Sequence, residues 1–290
     1  MRNPEYIPIK KKIPFLSEKN SGKGIVHNIH FNHLHTVCEE SRCPNQRECS
    51  ANGVATFLIG GDICTRNCRF CNIRTGRPLF RESQREREEI IRSVLLLGLR
   101  HVVITSVTRD DDEIFLAEHF ARIIQDLRGL GKSVEVLIPD FHGRPDYLDV
   151  ILEAHPHVLA HNVETVERLS PVIRPQADFQ RSLDVLGYFR EKAAEKILLK
   201  SGFLLGLGET PEEIRGTIRI LKKNGVDILT IGQYFQPDTM NVPVAKYYQT
   251  PELDEIRAFA QSLDFSGVEV SVYTRSSYMA ENTLRKISTP

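Results

Sequence analysis

The chain contains no uncharged apolar run approaching the roughly 20 residues needed to span a bilayer. Its first twenty residues, MRNPEYIPIKKKIPFLSEKN, carry scattered charges and no apolar h-region, which speaks against a secretory signal. They also lack the Arg- and Ser-rich amphipathic pattern of a transit peptide. There is no excess of either charge: 38 Lys+Arg balance 38 Asp+Glu. That balance argues against a general nucleic-acid binder, which would show a basic stripe, but leaves room for a local basic patch facing a small anion. Fixed short repeats and low-complexity tracts are absent as well. What remains is 290 residues, 41% hydrophobic and 26% charged. This is ordinary for a globular protein and long enough for one large α/β domain or two smaller ones. The simplest compartment is a bacterial-type cytoplasm, where disulfides are rare and clustered cysteines serve metal or redox work.

The segment from Met1 to Asn52 is polar, with three prolines in its first fourteen residues, and reads as an N-terminal extension. Short apolar, β-branched runs follow at Val54–Ile59, His101–Val107, Val134–Ile138, Val158–Val163, Phe203–Leu207 and Ile228–Tyr234. Helical periodicity fills the gaps. Glu86–Leu97 places Ile90, Ile91, Val94, Leu95 and Leu97 mostly on one face; Ile114–Leu127 does the same with Phe115, Leu116, Phe120, Ile123, Ile124 and Leu127. Thr210-Pro211-Glu212-Glu213 opens a further helix with an N-cap, a first-turn proline and early acids that suit the helix dipole. Alternating strands and helices predict an α/β fold of parallel βαβ units. Six units are too few for a closed eight-fold barrel. The expected architecture is a partial (β/α)6 TIM-type barrel over residues 53–265, with a doubly wound sheet as the alternative. Residues 1–52 would carry one set of cysteines, and 266–290 would close over the site.

All six cysteines lie in two triplets. Cys64-Thr-Arg-Asn-Cys68-Arg-Phe-Cys71 directly follows the first predicted strand, and the loop after a barrel strand lies at the catalytic face. Iron–sulfur clusters are normally held by four cysteines. Three thiolates on one short loop wrap a cluster and leave one iron open to a small molecule. This C-x3-C-x2-C pattern, with Phe70 before the last cysteine, resembles the radical S-adenosylmethionine (SAM) superfamily. The resemblance implies that the open iron binds SAM and an electron from the cluster cleaves it to a 5′-deoxyadenosyl radical. A structural zinc site is the competing reading, and it would need a fourth ligand from elsewhere. Cys38-Glu-Glu-Ser-Arg-Cys43-Pro-Asn-Gln-Arg-Glu-Cys49 is less telling. Its spacing fits zinc, completed by His33 or His35, a second cluster, or unrelated buried thiols.

The order C-x4-C-x5-C, C-x3-C-x2-C and then Arg275-Ser276-Ser277-Tyr278 resembles the lipoyl synthase family. Further matching stretches are Gly61–Arg66, Thr105–Asp111, His161–Thr165, Lys200–Gly202, Gly206–Thr210 and Thr230–Tyr234, so the likeness runs from about His33 to Asn282. It implies two 4Fe–4S clusters. Cys64, Cys68 and Cys71 would hold the SAM-binding one. Cys38, Cys43, Cys49 and, as an unusual fourth ligand, Ser277 would hold an auxiliary one. A serine oxygen is a hard ligand among soft sulfurs, which suits a cluster meant to be taken apart as the sulfur donor. The implied reaction inserts two sulfur atoms at carbons six and eight of an octanoyl group on a lysine of a carrier protein. Those carbons are unactivated, so a carbon radical must abstract hydrogen, and two SAM molecules are needed, one for each C–H bond. The implied partners are an octanoylated glycine-cleavage H protein or 2-oxoacid dehydrogenase E2, a ferredoxin or flavodoxin reductant, and an iron–sulfur carrier for cluster repair. Neither a membrane nor a nucleic acid is among them.

Other residues admit two readings. Phe70 and Asn162 are candidates for contact with SAM, Asn162 equally for hydrogen bonding at the edge of the core. Arg109 and Asp110–Asp112 belong either to the site or to a solvated loop capping the next helix. Glu209 closes a strand-to-helix turn. Arg275 orients the Ser277 segment or pairs with a surface acid. His27, His30, His33 and His35 read as surface or packing residues. Two other functions stay open: another radical SAM sulfur insertion, as in biotin formation, and a zinc-stabilised binding protein.

Overall fold

The computed structural model describes residues 35–41, 43, 45, 49, 56–78, 83–193, 197–278, 280, 281, 283 and 287. The expected start of the first strand at Val54, most of the N-terminal extension, His27, His30, His33 and Asn282 lie outside them. In chain order the elements are β1 (His35–Thr36), α1 (Val37–Glu40), β2 (Thr56–Ile59), β3 (Ile63–Cys64), β4 (Arg74–Thr75), α2 (Ser83–Leu96), β5 (His101–Ser106), α3 (Glu113–Gly129) and β6 (Ser133–Leu137). They continue with α4 (Pro145–Glu153), β7 (Val158–Ala160), α5 (Ser170–Ile173), α6 (Phe179–Lys192), β8 (Leu198–Leu205), α7 (Pro211–Lys223), β9 (Ile228–Gln233), α8 (Thr250–Gln261) and β10 (Gly267–Ser271).

The main sheet runs β1-β2-β5-β6-β7-β8-β9-β10. Every pairing from β2 to β10 is parallel, and only β1 runs antiparallel to its neighbour. All six predicted strands are present in a partial barrel that stays open between β1 and β10. Two features extend it. β8 starts at Leu198, five residues before the predicted run, and β10 adds a further parallel strand in register with β9 from Gly267 opposite Ile228. Strands covered on both faces read as continuous apolar runs, and Phe57, Leu58, Ile59, Val102, Val103 and Ile104 are all buried.

The helices cover the outside through one stripe each. On α3, Leu116, Phe120, Ile123, Ile124 and Leu127 are buried as the periodicity predicts. On α2, Ile90 and Val94 are fully buried, but Leu95 is 53% exposed. At about 100° per residue, Leu95 lies about 140° round from Ile90, so the inner face is Ile90, Val94 and Leu97. α7 begins as predicted. Thr210 accepts a hydrogen bond from Glu213 N, while the Glu213 carboxylate accepts from Thr210 N, a complete capping box. Thr210→Ala is expected to lower stability by about 1 kcal/mol, read as a shift in the urea midpoint without a change in slope.

Inside the barrel, Lys200 on β8 meets Glu135 on β6, with Nζ 2.8 Å from Oε1 and both side chains 2% exposed. His101 on β5 stands beside them, its Nε2 3.8 Å from Glu135 Oε2. Burial acts to raise the Glu135 carboxyl, but the charge of Lys200 first, and then the neighbouring His101, outweigh it and hold the group below its ordinary range.

Candidate active site

The C-terminal ends of the strands meet in one cavity of about 450 Å³. The chain leaves β2 through Gly60 and Gly61, both at positive φ (82° and 91°), a turn that glycine makes without strain. It then enters β3, whose pairing with β4 closes the loop carrying the second triplet. Within the loop, Cys71 N donates to Cys68 O (3.0 Å) and Gly76 N to Cys64 O (2.9 Å). Outside it, Arg69 N donates to Ile173 O, and Asn241 Nδ2 donates to Cys71 O at 2.8 Å. Cys64 Sγ accepts from Arg66 N (3.4 Å) and Thr108 N (3.3 Å).

A buried charge network fixes this loop to the barrel. The Arg66 guanidinium forks onto Asp110, with Nε 2.9 Å from Oδ2 and Nη2 2.7 Å from Oδ1, and Nη2 also donates to Asp140 Oδ1 at 2.7 Å. Arg181 Nε donates to the other Asp140 oxygen at 2.9 Å. Burial would raise the Asp140 carboxyl, but Arg66 above all holds it well below the carboxylate range. Arg109 instead forks onto Asp111 and stacks its cation 5.7 Å from the Phe115 ring, outside the cavity lining. Asp112 takes the N-cap position of α3 without a side-chain cap bond. The Asp110–Asp112 run therefore divides: Asp110 serves the loop, Asp111 pairs with Arg109, and Asp112 stands at the N-cap position of α3. Asp110, Glu113 and His142 also lie within single-ion reach of one another. Their groups are already engaged, Asp110 by Arg66 and Glu113 by His142 Nδ1 at 2.9 Å.

The first triplet is built on α1, where Thr36 Oγ1 accepts from Glu39 N at 3.3 Å. Cys43 N donates to Cys38 O, and Cys49 N donates to Asn45 O, each at 2.9 Å. Asn45, 1% exposed, donates through Nδ2 to Tyr273 O at 2.5 Å and ties this segment to the C-terminal stretch. His35 Nδ1 lies 3.0 Å from Glu40 Oε1. The stretch itself packs on β9 at Gly232, where any Cβ would overlap the Thr274 carbonyl. Among the described residues Arg275 forms no salt bridge with a surface acid. It donates to Thr274 O at 2.6 Å and lies 5.4 Å from the Phe235 ring, with burial lowering its pKa. Ser276 Oγ accepts from Asn162 Nδ2 at 2.6 Å.

The cavity wall takes Cys38 and Cys43 from the first triplet, Cys64, Cys68 and Cys71 from the second, and Phe70, Asn162 and Ser277. Of the residues expected to hold the clusters or to contact SAM, only Cys49 is not on that wall. Phe70 also packs with Ile173, Leu207 and Tyr234, so it is a core residue as well as a cavity residue. Glu209 closes its turn, its two oxygens accepting from Gly206 N (2.6 Å) and Leu207 N (2.9 Å).

Sequence reasoning missed His161, Glu164 and Arg174, which also line the cavity. His161 Nδ1–H donates to Ile138 O at 2.9 Å, its Nε2 is buried without a partner, and burial lowers its pKa to about 4. It is a neutral acceptor. Glu164 has φ 62°, a conformation that costs a non-glycine residue on the order of 1–3 kcal/mol and clusters at functional sites. Burial raises its carboxyl pKa against the pull of Arg174. His161 and Glu164 fall in the His161–Thr165 stretch of the family resemblance, which marked the segment but gave neither residue a role.

The donor set fits metal. No disulfide joins the six cysteines among the described residues. Burial pushes the Cys68 thiol up to about 11 and Cys71 to about 12. A hydrogen bond with Cys43, then burial and the nearby Cys43 and Cys49, raises Cys38. Crowded buried thiols become thiolates only when a cation compensates them. The set also fits a polar cofactor, since Asn162 Oδ1 and His161 Nε2 are buried acceptors with no partner.

Comparison with known proteins agrees with this chemistry. Residues 58–232 match the Radical SAM superfamily. Lipoyl synthase of Caldicellulosiruptor saccharolyticus is 45% identical over 256 residues, covering 88% of this chain and 89% of that one. Lipoyl synthase of Leptospira interrogans is 42% identical over 279 residues, covering 95% and 91%. Among solved structures, the hydrogenase maturase HydG of Carboxydothermus hydrogenoformans superposes with TM-score 0.58 at 15% identity, over 80% of this chain and 56% of that one. Methylornithine synthase superposes with TM-score 0.54 at 16% identity, over 72% and 62%. This chain thus spans about three fifths of those structures' length, and at such identities they speak to the fold alone. By the superfamily match and by its full-length relatives, the chain belongs to the lipoyl synthase family of radical SAM enzymes.

Proposed function

We propose that Cys64, Cys68 and Cys71 hold the SAM-binding 4Fe–4S cluster of this chain, and that Cys38, Cys43, Cys49 and Ser277 hold its auxiliary 4Fe–4S cluster. The chain is a radical SAM sulfurtransferase that inserts two sulfur atoms at carbons six and eight of protein-bound octanoyl-lysine. When bound, the clusters and SAM supply a radical able to take hydrogen from unactivated carbon and the sulfide that replaces it. The observation that carries the residue assignment is the shared cavity: five cysteines from both triplets open onto it together with Ser277.

The chain's own residues position and exclude. Arg66 and its carboxylates lock the Cys64 loop to the strand ends. Phe70 and Tyr234 pack together as an apolar part of the cavity wall, and Tyr234 OH donates to Val242 O at 2.8 Å. Asn162, with Phe70 beside it, is assigned to SAM on the strength of its unpartnered Oδ1. The two serines differ. Ser276 is engaged by Asn162, whereas the Ser277 hydroxyl lines the cavity with no side-chain partner among the described residues. That favours Ser277 over Ser276 as the ligand.

The enzyme acts on lipoyl-carrier proteins and requires a reductant. We further assign glycine-cleavage H protein or 2-oxoacid dehydrogenase E2 as carrier, ferredoxin or flavodoxin as reductant, an iron–sulfur carrier for repair, and a cytoplasmic location. Among the described residues no helix is long and apolar enough to cross a membrane. The test is metal analysis of anaerobically purified protein. About eight irons per chain are expected, and stoichiometric zinc without iron would contradict the assignment. Ser277→Ala is expected to retain most SAM cleavage while losing sulfur insertion at least tenfold, on the order of other metal-shell substitutions. Equal loss of both activities would remove Ser277 from the ligand set.

A further inference from the structure

The C-terminal stretch is a rigid turn. Thr274 N donates to Ser271 Oγ at 3.0 Å, and Tyr278 N donates to Arg275 O at 2.9 Å. Ser276 and Ser277 lie inside this turn, so a force on one displaces the other. One side-chain hydrogen bond links the two serines to the strand ends where the second triplet sits: Asn162 Nδ2 to Ser276 Oγ, 2.6 Å. Asn162 follows β7, lines the cavity and is 7% exposed, and its other amide atom, Oδ1, is buried without a hydrogen-bond partner. The same amide therefore donates to the C-terminal turn and keeps an unpartnered acceptor within a residue of the cavity wall.

We propose that Ser276 is the positioning residue of the Arg275–Tyr278 stretch. Its bond to Asn162 places Ser277, and through the same amide it couples that placement to whether SAM occupies the cavity. The inference rests on Ser277 being the auxiliary ligand. Its physical content is simple. A hydrogen-bond donor on SAM, either ammonium or hydroxyl, that binds Asn162 Oδ1 polarises the amide and strengthens its N–H as a donor to Ser276. Occupancy of the cavity then tightens the turn, and by linkage a well-placed turn favours occupancy by the same factor. The arrangement keeps the serine on the auxiliary side while SAM is present. Loss of the Ser276 hydroxyl removes the link without altering any cysteine.

The test uses the anaerobically loaded, full-length enzyme and follows iron release to a chelator with and without SAM. The auxiliary phase is identified as the one that persists when Cys64, Cys68 and Cys71 are replaced by alanine. Ser276→Ala is expected to release auxiliary iron roughly tenfold faster than the wild type, and SAM should no longer slow that release. Ser276→Thr, which restores a hydroxyl, is expected to recover both properties. Amide hydrogen exchange of the metal-free chain supplies a second reading: Ser276→Ala should lose protection over Tyr273–Tyr278 while the β5–β9 strands keep theirs. Wild-type iron release in Ser276→Ala beside fast release in Ser277→Ala would overturn the inference and spare the Ser277 assignment. Wild-type release in both would remove the assignment and the inference together. Failure of Ser276→Thr to recover either property would also overturn it.

Discussion

Replacing Cys64, Cys68 and Cys71 together by alanine is expected to lower iron from about eight to about four per chain and to abolish 5′-deoxyadenosine formation from SAM. The three sulfurs come from one loop, closed by β3 and β4 and locked by Arg66, so no other described cysteine can take their place. The mirror variant, with Cys38, Cys43 and Cys49 replaced, is expected to keep about four irons and SAM cleavage while losing sulfur insertion. Iron analysis and chromatographic quantification of 5′-deoxyadenosine separate the two. SAM cleavage that survives loss of the second triplet, or vanishes equally with either, would show that the roles have been assigned to the wrong cysteines.

The second large effect concerns stability. Lys200→Met leaves Glu135, 2% exposed, without its ammonium partner inside the barrel. Breaking one side of a buried pair costs about 3–5 kcal/mol, enough to endanger a fold whose total stability is about 5–15 kcal/mol. The double variant Glu135→Gln/Lys200→Met removes both charges and is expected to recover most of the loss, as urea denaturation of the metal-free chains would measure. The pair also sets a pH dependence. Because the folded Glu135 carboxyl lies below its unfolded value, its contribution is fully present above the unfolded pKa. It is lost as pH falls through the carboxylate range towards the folded value. In Lys200→Met that acid-side contribution should shrink, so stability should fall less steeply with acid. An unchanged slope would show that the pair does not govern acid stability.

The architecture was legible where periodicity carries physical meaning. Continuous β-branched runs marked the six inner strands, and Thr210-Pro-Glu-Glu marked a helix start down to its capping box. Reading failed where burial depends on distant partners. Lys200-Ser201-Gly202 looks polar, and the predicted run begins only at Phe203. It is nonetheless the buried first half of β8, because Glu135, 65 residues earlier, receives the lysine. β10 was missed because Gly267-Val-Glu-Val-Ser is short and only partly buried, and its identity comes from pairing with β9. At the site, cysteine spacing pointed to metal, and the cluster roles proposed above came from the resemblance to lipoyl synthases. The roles of Arg66, His161 and Glu164 had no local signature. Arg66 acts through Asp110 and Asp140, which come from two other strand ends. The unpartnered acceptor of His161 and the positive φ of Glu164 are properties of the folded backbone. Arg275 went the other way: a charged residue near the end of the chain suggests a surface, yet it is half-buried with its cation over the Phe235 ring.

The most direct test of the central claim is an anaerobic turnover experiment. The enzyme is incubated with an octanoyl-lysine peptide, SAM and a strong reductant, and the peptide is read by mass spectrometry. The account predicts a peptide that has gained two sulfur atoms, with the sulfur drawn from the enzyme itself when no other source is present. SAM cleavage in a fully iron-loaded enzyme with no sulfur added to the peptide would contradict it.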